Sequence, residues 1–98
     1  MLPVRIGPAA LADLADAWAW YDDKRAGLGD EFRDRVDAAL VEVARDPLVW
    51  PRIHGEIRRH MVRRFPYAVF YLAEPAHIEV LAVFHFSREP KRWKRRLL

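Results

Sequence analysis

The periodicity of apolar positions changes twice along this chain. Residues 2–6 (LPVRI) are short and strand-favouring, and Gly7-Pro8 breaks them. Pro8 suits the first turn of a helix, where its missing N–H costs nothing. Over residues 9–24 the apolar side chains recur every three or four positions, so Leu11, Leu14, Ala15, Trp18 and Tyr21 share one predicted helical face. Asp13, Asp16 and Asp23 fall mostly off it. The stretch RAGLG then interrupts the pattern with two glycines. Asp30 is placed to cap a second helix running to about residue 45, with Phe32, Val36, Ala39, Leu40 and Val43 as its stripe. Asp46-Pro47 ends it, because the residue before a proline resists the α region. So short a connection predicts an antiparallel helical hairpin.

The second half reads differently. Residues 47–55 (PLVWPRIHG) look like an irregular link. Residues 56–64 (EIRRHMVRR) form a predicted strand with mixed faces, Ile57, Arg59, Met61 and Arg63 on one and Arg58, His60, Val62 and Arg64 on the other. An aromatic strand follows over residues 65–72 (FPYAVFYL), then a turn over 73–77. The near-continuous apolar run IEVLAVFHF (78–86) predicts a strand buried on both faces, and so a central one. Strict alternation puts His85 on a face with Leu81 and Val83, with Phe84 and Phe86 opposite. The chain closes with SREPKRWKRRLL, a basic tail that Trp93, Leu97 and Leu98 can dock. The expected fold class is α+β in the order β-α-α-β-β-β. It is one domain over residues 1–98, a helical hairpin packed on a mainly antiparallel four-stranded sheet whose last three strands form a meander.

Composition narrows the function classes. The chain has 98 residues, 52% of them hydrophobic, which is material for one core. It has no cysteine, so disulfides and cysteine-ligated metals are excluded. The start lacks the pattern of a signal peptide, and no apolar run is long enough for a membrane helix. The expectation is a cytoplasmic protein with no membrane partner. Net charge is only +3, but it is unevenly placed. Residues 1–51 hold six Lys and Arg against ten Asp and Glu, a balance of −4. Residues 52–98 hold eleven against four, a balance of +7. The basic half suits a polyanionic or acidic partner, unless the two halves neutralise each other within the fold.

Several segments in this order resemble the RelE/ParE superfamily of toxins from type II toxin–antitoxin systems, and the ParE-like plasmid stabilisation proteins in particular. They are ALADLADAWAWYDDK with GLGDEF, then VARDPLVWPRI, then RRHMVRRFPYAVFYL with its basic strand and Phe-Pro-Tyr start, and VLAVFHFSREP with His85 and Arg88 three apart. The resemblance covers nearly the whole chain. It implies a growth-inhibiting toxin neutralised by a cognate antitoxin in a hetero-oligomer. Two activities occur in the superfamily. ParE-like members inhibit DNA gyrase, and RelE-like members cleave ribosome-bound mRNA. FPYAVFY and HFSREP look more ParE-like. An inactive member that keeps only antitoxin binding is the remaining alternative.

Metal-free RNA cleavage needs a base, an acid and cations around the crowded phosphate. In the RelE-like reading, His85 is the acid or base, and Arg64 and Arg88 are phosphate clamps. In the binding reading, Arg58, Arg63, Arg64, Arg88, Lys91, Arg92 and Trp93 contact the target or nucleic acid, by charge and by stacking. Each has a plainer alternative. A histidine at a strand end is often a structural hydrogen-bonding residue, Arg88 can be a loop arginine, and a basic edge strand can simply resist aggregation. Two departures weigh against the nuclease. No lysine lies between Lys24 and Lys91, and the last tyrosine is Tyr71, where RelE-like nucleases tend to use lysines and a terminal tyrosine. Arginines stay protonated and make poor bases. His54 and His60 lack a third ligand at sensible spacing, so no metal is expected, and no cofactor motif is present.

Overall fold

The structure, a computed structural model, describes residues 1–86 and 90–97, the side chains of 90–93 excepted. The first strand, β1 (Val4–Ile6), runs parallel to the last, β5 (Ile78–His85), with Val4 opposite Ile78 and Ile6 opposite Val80. A parallel pair cannot be joined by a tight turn. The long connection between them begins with the helices α1 (Pro8–Lys24) and α2 (Leu28–Arg45). After them come β2 (Arg52–His54), β3 (Ile57–Met61) and β4 (Tyr67–Ala73), and helix α3 (Pro90–Leu97) follows β5. The sheet order is β1-β5-β4-β3-β2, antiparallel everywhere except β1–β5.

The class is the expected α+β, with five strands rather than four. The extra strand, β2, lies in the segment expected to be an irregular link. Gly55, at φ 54°, turns the chain so that Arg52 pairs with Arg58 and His54 with Ile57. β3 ends at Met61 rather than residue 64, so Arg63 and Arg64 belong to the turn into β4. β5 is interior and buried on both faces, but β4 is the middle strand.

Two apolar clusters sandwich the sheet. On the helix side Leu14, Phe32, Val36, Val43, Val69, Tyr71, Ile78, Val80 and Val83 pack together. On the other side Ile57, Ala68, Phe70, Ala82 and Phe84 form a smaller cluster, against which Leu97 of α3 packs, as expected of the tail. Strict alternation fails inside β5. Phe70 pairs with Ala82 and Tyr71 with Val80, which leaves Leu81 as the extra residue of a bulge. Leu81 therefore joins the outer cluster while Val83 faces the helices, and His85 keeps Val83 but not Leu81 for company.

α1 is rotated from its predicted face. Ala10, Leu14 and Ala17 are buried, whereas Leu11 is 50% and Trp18 39% exposed. The two alanines let the helix approach the sheet, and Leu11 and Trp18 flank α2 instead. The hairpin clasp explains the GLGDEF stretch. Gly27 sits at φ 91°, a left-handed conformation that suits glycine. Asp22 Oδ1 accepts the backbone N–H groups of Gly27 at 2.9 Å and Gly29 at 3.2 Å. The helix-capping carboxylate thus comes from α1. Asp30, expected as the cap, instead accepts the Trp18 indole N–H at 3.0 Å.

A Cβ on Gly29 would sit 2.7 Å from the Trp18 carbonyl oxygen and 2.8 Å from its indole ring. Backbone on one side and a hydrogen-bonded ring on the other leave no room to yield. Gly29→Ala is expected to destabilise the protein by about 1–3 kcal/mol despite alanine's better helix propensity, as read by urea denaturation.

Candidate functional site

His85 ends β5 on the helix side and lines a cleft of about 610 Å³ with Asp13, Asp16, Ala17, Trp20, Tyr21, Pro66, Tyr67 and Val83. Its ring meets Tyr67 edge-on at 5.3 Å and lies nearly parallel to Phe86 at 5.7 Å. Tyr21 packs between Phe32 at 5.3 Å and Phe65 at 4.9 Å, so the floor of the cleft is aromatic. Burial, and then the nearby Tyr67, raise the Tyr21 phenol above its ordinary pKa. Among the described residues, the charged lining beside the imidazole is acidic. Asp13 Oδ2 accepts the Val83 N–H at 3.0 Å, and Arg96 of α3 grips both Asp13 oxygens at 3.0 Å. Asp16 adds a second carboxylate.

Arg64 is elsewhere. It lines a separate groove of about 380 Å³ with Arg25, Leu28, Glu31, Asp34, Arg35, Ala38 and Phe65. The described residues thus do not bring His85 and Arg64 into one cleft. Arg64 also departs from the predicted face shared with Arg58 and His60, because the strand stops before it. Its φ is 69°, and it is the one non-glycine residue with positive φ among the described residues. Arg88 lies outside the described residues. Lys91, Arg92 and Trp93 lie on α3, and their side chains are likewise outside them.

Arg58, Arg63 and His60 each stand against a partner within the fold. Arg58 Nη1 donates to the carbonyls of Leu48 at 3.0 Å and Trp50 at 2.6 Å. The Tyr71 hydroxyl donates to the Pro47 carbonyl at 2.7 Å. Together they pin the loop between α2 and β2, leaving Leu48 and Val49 mostly exposed. Arg63, expected at a target surface, is exposed and 3.6 Å from Glu42. The same carboxylate stands 3.5 Å from His60 Nε2, whose ring stacks on Trp50 at 3.7 Å. Neither the His60 Nε2 nor the buried Trp50 Nε1 has a hydrogen-bond partner among the described residues. Among the described residues, Asp13–Arg96, Glu42 with Arg63 and His60, and Arg5 with Glu79 at 3.7 Å join the acidic half to the basic half. The halves do attract each other through such pairings.

Sequence reasoning missed Asp13, Asp16, Trp20, Tyr21 and Tyr67 around His85, and Arg35 beside Arg64. Asp13 lies between Ala10 and Ala17, and only a helix rotated onto those small residues turns it inward. No group of three or more metal-ligating side chains occurs among the described residues, and no helix there is long and apolar enough to cross a membrane.

With this geometry in hand, comparison is informative. A family model described as "ParE toxin of type II toxin-antitoxin system, parDE" matches residues 4–90. A solved structure described as the chromosomal ParDE TA system from P. aeruginosa superimposes with a TM-score of 0.65. It is 16% identical, and the match covers 87% of this chain and 96% of that one, a likeness of fold. No curated protein matches.

The pinned loop generates a pH dependence. Burial pushes the Tyr71 phenol up to about 12, with the Arg58 guanidinium pulling the other way. An unfolded tyrosine titrates near 10. The folded state therefore holds this proton more tightly, so its stabilisation is complete below about pH 10 and is lost as pH rises through about 12. Tyr71→Phe is expected to cost about 1 kcal/mol at neutral pH and to flatten the alkaline fall in stability. Tyr21, shifted in the same direction, leaves a residual slope. Urea denaturation from about pH 8 to 12 reads both effects.

Proposed function

This chain belongs to the ParE toxin family of type II toxin–antitoxin systems, and from that premise we propose that it arrests growth by binding DNA gyrase in the cytoplasm. Membership implies an antitoxin as partner. In our reading the cognate antitoxin holds the toxin inactive in a hetero-oligomer. The observation that carries the binding mode is the acidic, aromatic lining of the His85 cleft. A phosphodiester approaching His85 would meet Asp13 and Asp16, and Arg96 is already closed on Asp13. Arg64 faces another groove. Those features favour a toxin that works by protein contact over a ribosome-dependent endoribonuclease. The ParE-like FPYAVFY and HFSREP segments favour gyrase as the target.

The test is induced expression without antitoxin, scored together for growth, plasmid supercoiling and mRNA integrity, followed by supercoiling assays with purified gyrase. Growth arrest with lost supercoiling and intact ribosome-bound mRNA is the expected result. Cleaved mRNA with intact supercoiling would overturn it. His85→Gln is expected to keep toxicity within a factor of about three, whereas loss of a general acid or base would cost about 100-fold or more.

A further inference from the structure

We infer that the groove between α2 and the β3–β4 turn is a carboxylate-binding site, in which Arg35 and Arg64 hold an acidic side chain of a bound protein partner. It rests on the reading of the chain as a toxin that acts through protein contacts. The groove encloses about 380 Å³ and is lined by Arg25, Leu28, Glu31, Asp34, Arg35, Ala38, Arg64 and Phe65.

Arg64 is the first reason. Its φ of 69° places it in the left-handed region, where a Cβ crowds the following carbonyl and glycine or asparagine is preferred. Strained positions of this kind persist where the surrounding structure enforces them, and they cluster at binding sites. Yet Arg64 makes no hydrogen bond or ion pair among the described residues. Arg35 is the second reason. It is half-buried on α2, faces the same groove, and is equally without a partner among the described residues. By contrast, Arg58 and Arg96 are fully engaged within the fold.

The charge of the groove selects the ligand. Arg25 is already closed on Glu31 at 2.6 Å. Arg35 and Arg64 remain, opposed by the single carboxylate of Asp34. One positive charge is left over. A single carboxylate matches it, whereas a dianionic phosphate, or the successive phosphates of a nucleic-acid backbone, would bring more negative charge than the groove balances. Leu28, Ala38 and Phe65 offer apolar surface beside the arginines, which fits an acidic residue with an aliphatic neighbour in a peptide segment.

The probe is an acetylated, amidated tripeptide of leucine, glutamate and leucine, titrated into the full chain at low salt and followed by amide chemical shifts. Saturable shifts confined to Arg35, Arg64 and Phe65 are expected. Replacing the glutamate by glutamine is expected to weaken binding at least tenfold, as is Arg35→Gln. Arg64→Gly is the decisive variant. It relieves the backbone, so the thermal midpoint is expected to hold or rise while peptide binding falls at least tenfold. A lowered midpoint would make Arg64 a structural residue and overturn the site. So would absent or scattered shifts, undiminished binding by Arg64→Gly, or inorganic phosphate competing as well as the peptide. The supercoiling assay separates the two readings. Inhibited gyrase with no peptide binding sinks this site alone, and peptide binding without gyrase inhibition sinks the gyrase target alone.

Discussion

Strand β5 is paired on one side along its whole length, but on the other β1 accompanies it only from Ile78 to Val80. Past that point a backbone N–H in the interior needs an acceptor, because a buried donor left unpaired costs more than most contacts return. Asp13 meets that need at Val83, and Arg96 neutralises the carboxylate that does so. One side chain thereby joins α1, β5 and α3. It also sets the rotation of α1. With Asp13 turned to the sheet, Ala10, Leu14 and Ala17 face inward with it, and Leu11 and Trp18 are left on the outside.

The same constraint shapes the His85 cleft. The carboxylate that completes the strand is one of the groups lining it, beside Asp16 and a floor of aromatic rings. A histidine there is surrounded by groups that suit cationic or aromatic company rather than a phosphate. The arginines divide along similar lines. Arg58 holds a loop by its carbonyls and Arg96 holds a helix by its carboxylate, so neither cation is available to a partner without loosening the fold. Arg35 and Arg64 carry no such duty among the described residues. These arginines are therefore two populations, distinguished by hydrogen bonding and not by position in a run.

The order of elements was legible because it depends on period. The stripes of α2, the aromatic strand β4 and the apolar run of β5 each declare themselves over seven or more consecutive residues. The family resemblance was legible for a related reason: GLGDEF and the Phe-Pro-Tyr start serve local geometry, and local geometry leaves local signals. Gly29 is required where α1 and α2 touch, and Phe65-Pro66 marks where β4 begins. What escaped were features that depend on strand pairing rather than on the period of the chain. β2 is a strand only because Gly55 turns it back onto β3. Leu81 changes sides only because β4 and β5 slip by one residue.

The candidate site lay mostly on the second side of that divide. His85 at the end of an apolar strand and the arginines after β3 could be picked out from their chemistry alone. Their surroundings could not, since Asp13 and Val83 are 70 residues apart and Asp13 and Arg96 are 83 apart. By itself, then, the sequence determined the class of fold, the order of its elements apart from β2 and α3, and the inventory of charged side chains, because period and composition are properties of neighbours in the chain. Only the tertiary structure decided which charges meet and which stay open, because the end of β1 creates an unpaired donor that Asp13 must satisfy. From there packing sets α1 so that an acidic cleft forms at His85, while Arg64 and Arg35 face another groove.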